Sequence, residues 1–403
     1  MKTKIQLFVA FLLLAVGALW LTSCSSEDAV QGSGSQADAS LTLTINTGKV
    51  GSRATAWDGS TTPKSTDENT INRLTVGIFD ASTKKVKTIV ELTTSATTGG
   101  NSLSVSGNTA TATIVTTSLA TGDDVLVAAN APAGNFAGVA DETGFNAKTE
   151  GIESAVLSSS DNTKEINTNI PMYGASTLNG SGSDFITTVS VNHQLAKITL
   201  DDLEVAFDAN GPYKEAEFTP TEFFLVNVPE KLAFSSNAWV NGASHLHGMS
   251  STTYSSLTAA PKWGKYKEYL SSAATGSTAL KGTSAKYASA AYFYVTPSDD
   301  DTADGKMKLI IAGTFKTNSS DVGTTVFYPV AINANYAADG TPSAATNGGA
   351  EVFKVYPNKN YVCKVVIKTK GTTDPTNNLD PQTATVTVTV TDFVEAKQTT
   401  TFE

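Results

Sequence analysis

Residues 383–391 read Thr-Ala-Thr-Val-Thr-Val-Thr-Val-Thr, and residues 41–46 read Leu-Thr-Leu-Thr-Ile-Asn. Both alternate without a break between apolar and small polar side chains. That period of two puts Leu41, Leu43 and Ile45, and likewise Ala384, Val386, Val388 and Val390, on one face of a strand with one side buried. The two ribbons stand near opposite ends of a 403-residue chain.

Between them the same pattern recurs in short runs bounded by Gly, Asn, Asp and Ser. Strands are predicted at Ile71–Asp80, Val86–Leu92, Ser102–Val105, Thr111–Thr117, Asp124–Asn130, Phe185–Val191, Gln194–Leu200, Glu222–Val228, Ala291–Val295, Met307–Phe315, Thr325–Ala331 and Asn360–Thr369. Ala137–Ser158 is less regular and suits short helices, and Ser235–Ser289 reads as loop. Many short strands separated by turns predict an all-β protein of β-sandwich type. About one residue in seven is Thr, which favours the pleated sheet over the helix. The length allows two domains. A Gly-Ser-Gly-Ser-Asp stretch at 180–184 reads as their linker, giving an N-terminal domain over 41–180 and a C-terminal one over 181–403.

The first strand is followed by a long polar stretch, 48–70, with no strand or helix pattern. Such a loop inside a compact domain is functional or disordered, and is where proteases cut. Arg53 is its one arginine; the chain's other, Arg73, falls in a predicted strand. An arginine-specific protease therefore has one good site, between Arg53 and Ala54. The cut would detach the first strand and leave its edge and apolar slots in need of a replacement. The 383–391 ribbon and the tail through Phe393 to the end (383–403) offer one. A strand added from another copy takes affinity from backbone hydrogen bonds and register from alternate side chains.

The N-terminus reads as an address. Lys2 and Lys4 precede an apolar run, Ile5–Leu21, which ends in Leu21-Thr22-Ser23-Cys24. This is a secretory signal over 1–23, and the tetrad resembles a bacterial lipobox that would place two acyl chains on Cys24. Residues 24–40 are small and polar, a flexible tether. The second cysteine, Cys363, lies in a strand-like run and reads as a small core residue.

The formal net charge of -10 argues against nucleic acid and anionic membrane surfaces as partners. Neither a phosphate-binding loop nor a G-x-S-x-G elbow stands out, and three histidines give little scope for triads. The expectation is a non-enzyme without a cofactor. His245-Leu246-His247 has metal-compatible spacing without an evident third ligand, His193 reads as structural, and the acidic 298–305 stretch reads as a hairpin tip. Trp239, Trp263 and Tyr266 in the loop-like middle would serve a rival reading, a monomeric surface lipoprotein that binds glycans.

Three stretches in order carry a family resemblance. The first is the lipobox, short strand and Arg-bearing loop, followed by Asn72-Arg73-Leu74-Thr75-Val76-Gly77-Ile78-Phe79-Asp80. The second is Pro171-Met172-Tyr173-Gly174 followed by Val191-Asn192-His193-Gln194-Leu195-Ala196-Lys197-Ile198. The third runs from Tyr356-Pro357-Asn358 through Gly371-Thr372-Thr373-Asp374-Pro375 into the terminal ribbon. Together they resemble the Bacteroidetes major fimbrial subunits, the FimA/Mfa-like or type V pilins. That resemblance implies two transthyretin-like β-sandwich domains in tandem. It implies a precursor lipidated at the outer membrane, cut by a maturation protease, then polymerised head to tail with copies of itself into an extracellular fimbrium. Partners implied are minor tip and anchor subunits and surface receptors, in adhesion and biofilm formation.

Overall fold

The computed structural model describes residues 39–47, 68–95, 99–158, 161–165, 169–236, 239–240, 244–250, 265–288, 291–336, 342–343, 351–377 and 384–392. The N-terminal half contributes β1 (Ala39–Thr47), β2 (Arg73–Phe79), β3 (Val86–Thr93), β4 (Ser102–Ser106), β5 (Thr109–Thr116), β6 (Asp124–Ala129), β7 (Thr149–Gly151), β8 (Met172–Thr177), β9 (Asn179–Ser181) and β10 (Asp184–His193). The hydrogen-bonded order is β3-β2-β6-β8-β10-β1-β5-β4, with β9 added along β10. The path folds over where β8 meets β10 through only two residue pairs, Met172 with His193 and Tyr173 with Asn192. At this corner a Cβ on Gly174 would stand 2.4 Å from the Ser190 carbonyl oxygen, so the backbones approach as only glycine permits.

The two arms face each other across one core. Leu41, Leu43 and Ile45 of β1 join Leu74, Val76 and Ile78 of β2, Val125 and Val127 of β6, and Val189 of β10. β2 and β6 are covered on both faces. Phe79, Leu126 and Ala128 pack into a second core with Phe136 and Phe145. This is why their sequences read as nearly continuous apolar runs rather than as an alternation. The irregular stretch holds the two short helices expected: α1 (Glu142–Asn146), capped by Asp141 Oδ1 accepting from the Gly144 N–H at 2.9 Å, and α2 (Ile152–Val156).

The C-terminal half is a second sandwich. One layer is β11 (Ala196–Val205), β14 (Ala291–Val295), β17 (Lys359–Ile367) and β18 (Ala384–Asp392), where β11 and β17 are parallel and β18 closes the edge. The other is β12 (Glu217–Val226), β15 (Lys308–Lys316) and β16 (Thr324–Ala331). Between the halves, β7 pairs with β13 (Lys231–Ala233), and Phe136 and Phe234 meet edge-on at 5.5 Å. One apolar cluster runs from Phe79 through this joint to Val390.

The expected linker at 180–184 is instead a hairpin. Asn179–Ser181 pairs back on Asp184–Ile186, and a Cβ on Gly180 would meet the Asp184 carbonyl oxygen at 2.4 Å. The glycines answer a tight turn rather than a hinge. The sheets therefore part after His193, not at 180, and β10 belongs with the N-terminal strands. The 235–289 stretch is also less loop-like than its composition suggests, with short strands at His245–His247, Lys265–Tyr266, Ser271–Ala273, Leu280–Lys281 and Ala285–Lys286.

Candidate functional site

The first strand does not lie at an edge. β1 runs parallel to β10, with Leu41 opposite Phe185 and Ile45 opposite Val189. It runs antiparallel to β5, with Leu43 opposite Ala112 and Ile45 opposite Ala110. Leu41, Leu43 and Ile45 are fully buried, while Thr42 and Asn46 point to solvent. Nine residues thus fill a slot with backbone partners on both sides and apolar sockets underneath. Because β10 and β5 run opposite to each other, the slot has no preferred direction. A strand inserted either way meets one parallel and one antiparallel neighbour.

The sequence of β18 matches that of β1 in length and pattern: Ala-Ser-Leu-Thr-Leu-Thr-Ile-Asn-Thr against Ala-Thr-Val-Thr-Val-Thr-Val-Thr-Asp. Both carry Ala at the first position, apolar residues at the third, fifth and seventh, and small polar residues between. In this chain β18 is the outer strand of the C-terminal sheet. Among the described residues it pairs only with β17, and Val386, Val388 and Val390 are buried in its own core. Its other edge is touched by Asn335, whose Oδ1 accepts from the Val388 N–H at 2.6 Å.

Both ends of the 48–67 segment are fastened. Thr47 donates from its amide and its hydroxyl to the Asn108 carbonyl, at 3.1 and 3.0 Å. On the return side, Glu68 is buried at the joint between the halves. The Lys197 ammonium donates to Glu68 Oε1 at 2.8 Å, and the Tyr294 hydroxyl donates to the same oxygen. His193 Nε2 donates to the Glu68 carbonyl oxygen at 2.9 Å. Burial pushes the His193 pKa below its ordinary value, which keeps the ring neutral. Lys197 also lies over the Tyr292 ring, 4.6 Å from its centre. Sequence reading missed Glu68, which sits inside a polar stretch; its signal is a partner 129 residues away.

Of the other residues singled out, Cys24, Arg53, Ala54, Trp263 and Phe393 lie outside the described residues. Arg73 opens β2 and pairs with Glu91 at 3.7 Å. Cys363 is fully buried on β17, and burial pushes its thiol up to about 12, so it is a packing residue. Trp239 is engaged with its neighbours: its indole N–H donates to the Val355 carbonyl at 3.3 Å, and its ring meets Tyr356 edge-on. Tyr266 is 40% exposed. His245 and His247 flank buried Leu246 on one short strand, and no group of three His, Cys, Asp or Glu side chains suited to a metal occurs among the described residues. Asp300 accepts from the Thr302 amide at 3.0 Å, the local turn expected of a hairpin tip.

Residues 39–202 match the family model of the major fimbrial subunit protein (FimA). No curated protein gives a significant match. Among solved structures, a fimbrilin of Porphyromonas gingivalis is 18% identical, covering 89% of this chain and 99% of its own, with a TM-score of 0.57. A "putative cell adhesion protein" of Bacteroides eggerthii is 21% identical over 89% of this chain and 98% of its own, with a TM-score of 0.56. One of Parabacteroides distasonis is 14% identical over 90% and 99%, with a TM-score of 0.60. These likenesses establish the all-β sandwich fold. The resemblance read from the sequence is borne out by the family match over residues 39–202.

Proposed function

We propose that this chain is a polymerising subunit of a fimbrial shaft that serves adhesion and biofilm formation at the cell surface. It is exported as a precursor lipidated on Cys24 and held at the outer membrane. A maturation protease cuts between Arg53 and Ala54. β1 then leaves, and the slot between β10 and β5 takes the 383–403 segment of another copy, with Val386, Val388 and Val390 in the sockets of Leu41, Leu43 and Ile45 and Phe393 following beyond them. Repetition head to tail does not close on itself and yields a filament. Tip and anchor subunits and a surface receptor complete the assembly.

The observation that carries this reading is the shared nine-residue pattern of β1 and β18, one strand inside the N-terminal sheet and the other at the rim of the C-terminal one. An occupied central slot and a matching strand at the rim of its own sheet are the two halves of a strand-addition joint. The test is digestion of the precursor with an arginine-specific protease, followed by non-denaturing electrophoresis and negative-stain microscopy. The wild-type chain gives one early cut and then a ladder of multimers. Arg53→Ala stays monomeric. Polymerisation of that variant at the wild-type rate refutes the mechanism.

A further inference from the structure

β18 is held on both of its edges, and the second hold is not a strand. On one side it pairs with β17, from Ala384 opposite Ile367 to Asp392 opposite Lys359. Along a strand the backbone N–H and C=O groups point alternately to one edge and the other. The Val388 amide points away from β17, where it donates to Asn335 Oδ1 at 2.6 Å. The amides of Val386 and Val390 therefore share that outer edge, while those of Thr387 and Thr389 face β17. A bare strand edge is a template for another chain, and native proteins blunt it by covering it.

Asn335 is brought to this edge by a fastened segment. Asn333 is fully buried with a φ of 56°, a left-handed conformation that asparagine adopts more readily than most residues. Its side-chain amide donates to the Glu351 and Lys354 carbonyls at 2.8 and 2.9 Å. Its own carbonyl accepts from the Phe353 N–H at 3.2 Å. Ala334 is buried as well. On the far side Asn335–Tyr336 pairs antiparallel with Pro342–Ser343, and the Ser343 hydroxyl donates to the Asn335 carbonyl at 3.4 Å. The side chain that meets Val388 thus stands on a base tied down before and after it.

A strand in the slot between β10 and β5 has a backbone neighbour on each side. Insertion of β18 there uses the amides of its outer edge as well as those that now face β17, and the Val388 N–H is one of them. Asn335 and the slot compete for the same donor. A side-chain acceptor suits such a hold: giving it up loses one hydrogen bond rather than a ladder, so it slows release without forbidding it.

We propose that Asn335 is a clasp on the donor strand, a positioning residue that keeps β18 in its own sheet and slows its transfer to a neighbouring copy. The clasp rests on the strand-exchange reading above and adds a control separate from the cut. Cleavage governs when a slot opens; Asn335 governs how readily a strand is given up to it.

The test follows backbone amide exchange in the isotope-labelled uncut chain by NMR, and the half-time of multimer formation once the same chain is cut by an arginine-specific protease. Thr387 and Thr389 give up their bonds to β17 only when β18 comes away, so their exchange reads strand release. Asn335→Ala speeds that exchange roughly 2- to 12-fold, as loss of one hydrogen bond requires, and shortens the assembly half-time by a similar factor. Asn335→Asp keeps an acceptor and stays near wild type in both, and all three chains share one circular dichroism spectrum. Unchanged exchange in Asn335→Ala, or equal acceleration in Asn335→Asp, overturns the clasp. Faster exchange without faster assembly overturns its part in transfer. If the cut wild-type chain forms no multimers, the strand-exchange reading falls, and the exchange rates of the uncut chains still decide whether Asn335 holds β18.

Discussion

Replacing Leu43 by Ala separates a strand that merely stabilises the precursor from one that is discarded. Leu43 is fully buried between Ala112 of β5 and Thr187 of β10. Truncating a buried leucine costs about 2–5 kcal/mol, from lost transfer energy and the cavity left behind. Against a total of about 5–15 kcal/mol this is a large fraction of the stability. With about 2–4 °C per kcal/mol for a domain of 150–250 residues, the Leu43→Ala precursor melts roughly 5–15 °C below wild type. The proposed polymer contains no residue upstream of Ala54. Fimbriae assembled from the two precursors are then chemically identical, and their melting temperatures coincide. Differential scanning calorimetry of precursor and protease-assembled polymer reads both, with mass spectrometry confirming loss of the N-terminal segment. A polymer from the Leu43→Ala precursor that melts as far below its wild-type counterpart as the precursor does refutes the reasoning. It would place Leu43 still in its slot.

Two further perturbations probe the joint and a second buried carboxyl, that of Glu150 on β7. Lys197→Met leaves the Glu68 carboxylate buried without its ion-pair partner and costs about 3–5 kcal/mol, while adding Glu68→Gln removes the orphaned charge and restores most of the loss; strictly additive losses in thermal melts would refute this coupling. For Glu150 the folded carboxyl sits at about 8 against 4.5 for the free group, so between those values the folded state holds a proton that the unfolded chain has released. Stability therefore falls as pH rises through that window, by roughly 3–5 kcal/mol, and Glu150→Gln removes this part of the decline. Urea midpoints at pH 5 and pH 8 check it, and an equal pH slope in both proteins contradicts it.

The strands were legible where one face meets the core and the other meets water. The ribbons at 41–46 and 383–391 predict β1 and β18 to within two residues at each end. The seam was not legible, because Gly180 and Gly182 serve a hairpin and composition alone does not distinguish a turn from a linker. Glu68 was hidden for another reason. A charged residue in a run of Ser, Thr and Asp looks solvated, and only the fold brings Lys197 and Tyr294 to it. Glu150 lies in the irregular stretch before α2, and its burial depends on β13, which pairs from the other half of the chain. The central place of β1, with partners on both sides, likewise comes from topology, since alternation specifies a face and not a neighbour.

The mismatch between the two ribbons bears on why a cut is needed. In the sockets of Leu41, Leu43 and Ile45, the donor offers Val386, Val388 and Val390, each one methylene smaller. At about 0.8 kcal/mol per buried methylene the slot prefers its own strand by roughly 2–3 kcal/mol. The resident strand is also tethered, so its effective concentration exceeds that of any neighbour's tail. An uncut precursor is therefore protected twice from premature assembly. The cut abolishes the tether and leaves only the methylene difference. Once β1 has left, the unpaired edges of β10 and β5 offer β18 two hydrogen-bonded neighbours in place of the one, β17, that it has at the rim of its own sheet. Counted over the whole exchange, the ladders β1–β10, β1–β5 and β18–β17 become two, so backbone pairing favours insertion only after the cut has let β1 diffuse away, when each ladder bond returned to the empty slot is worth about 0.5–1.5 kcal/mol net. Cleavage thus sets the timing of exchange, and the vacant backbone groups of β10 and β5 set its direction.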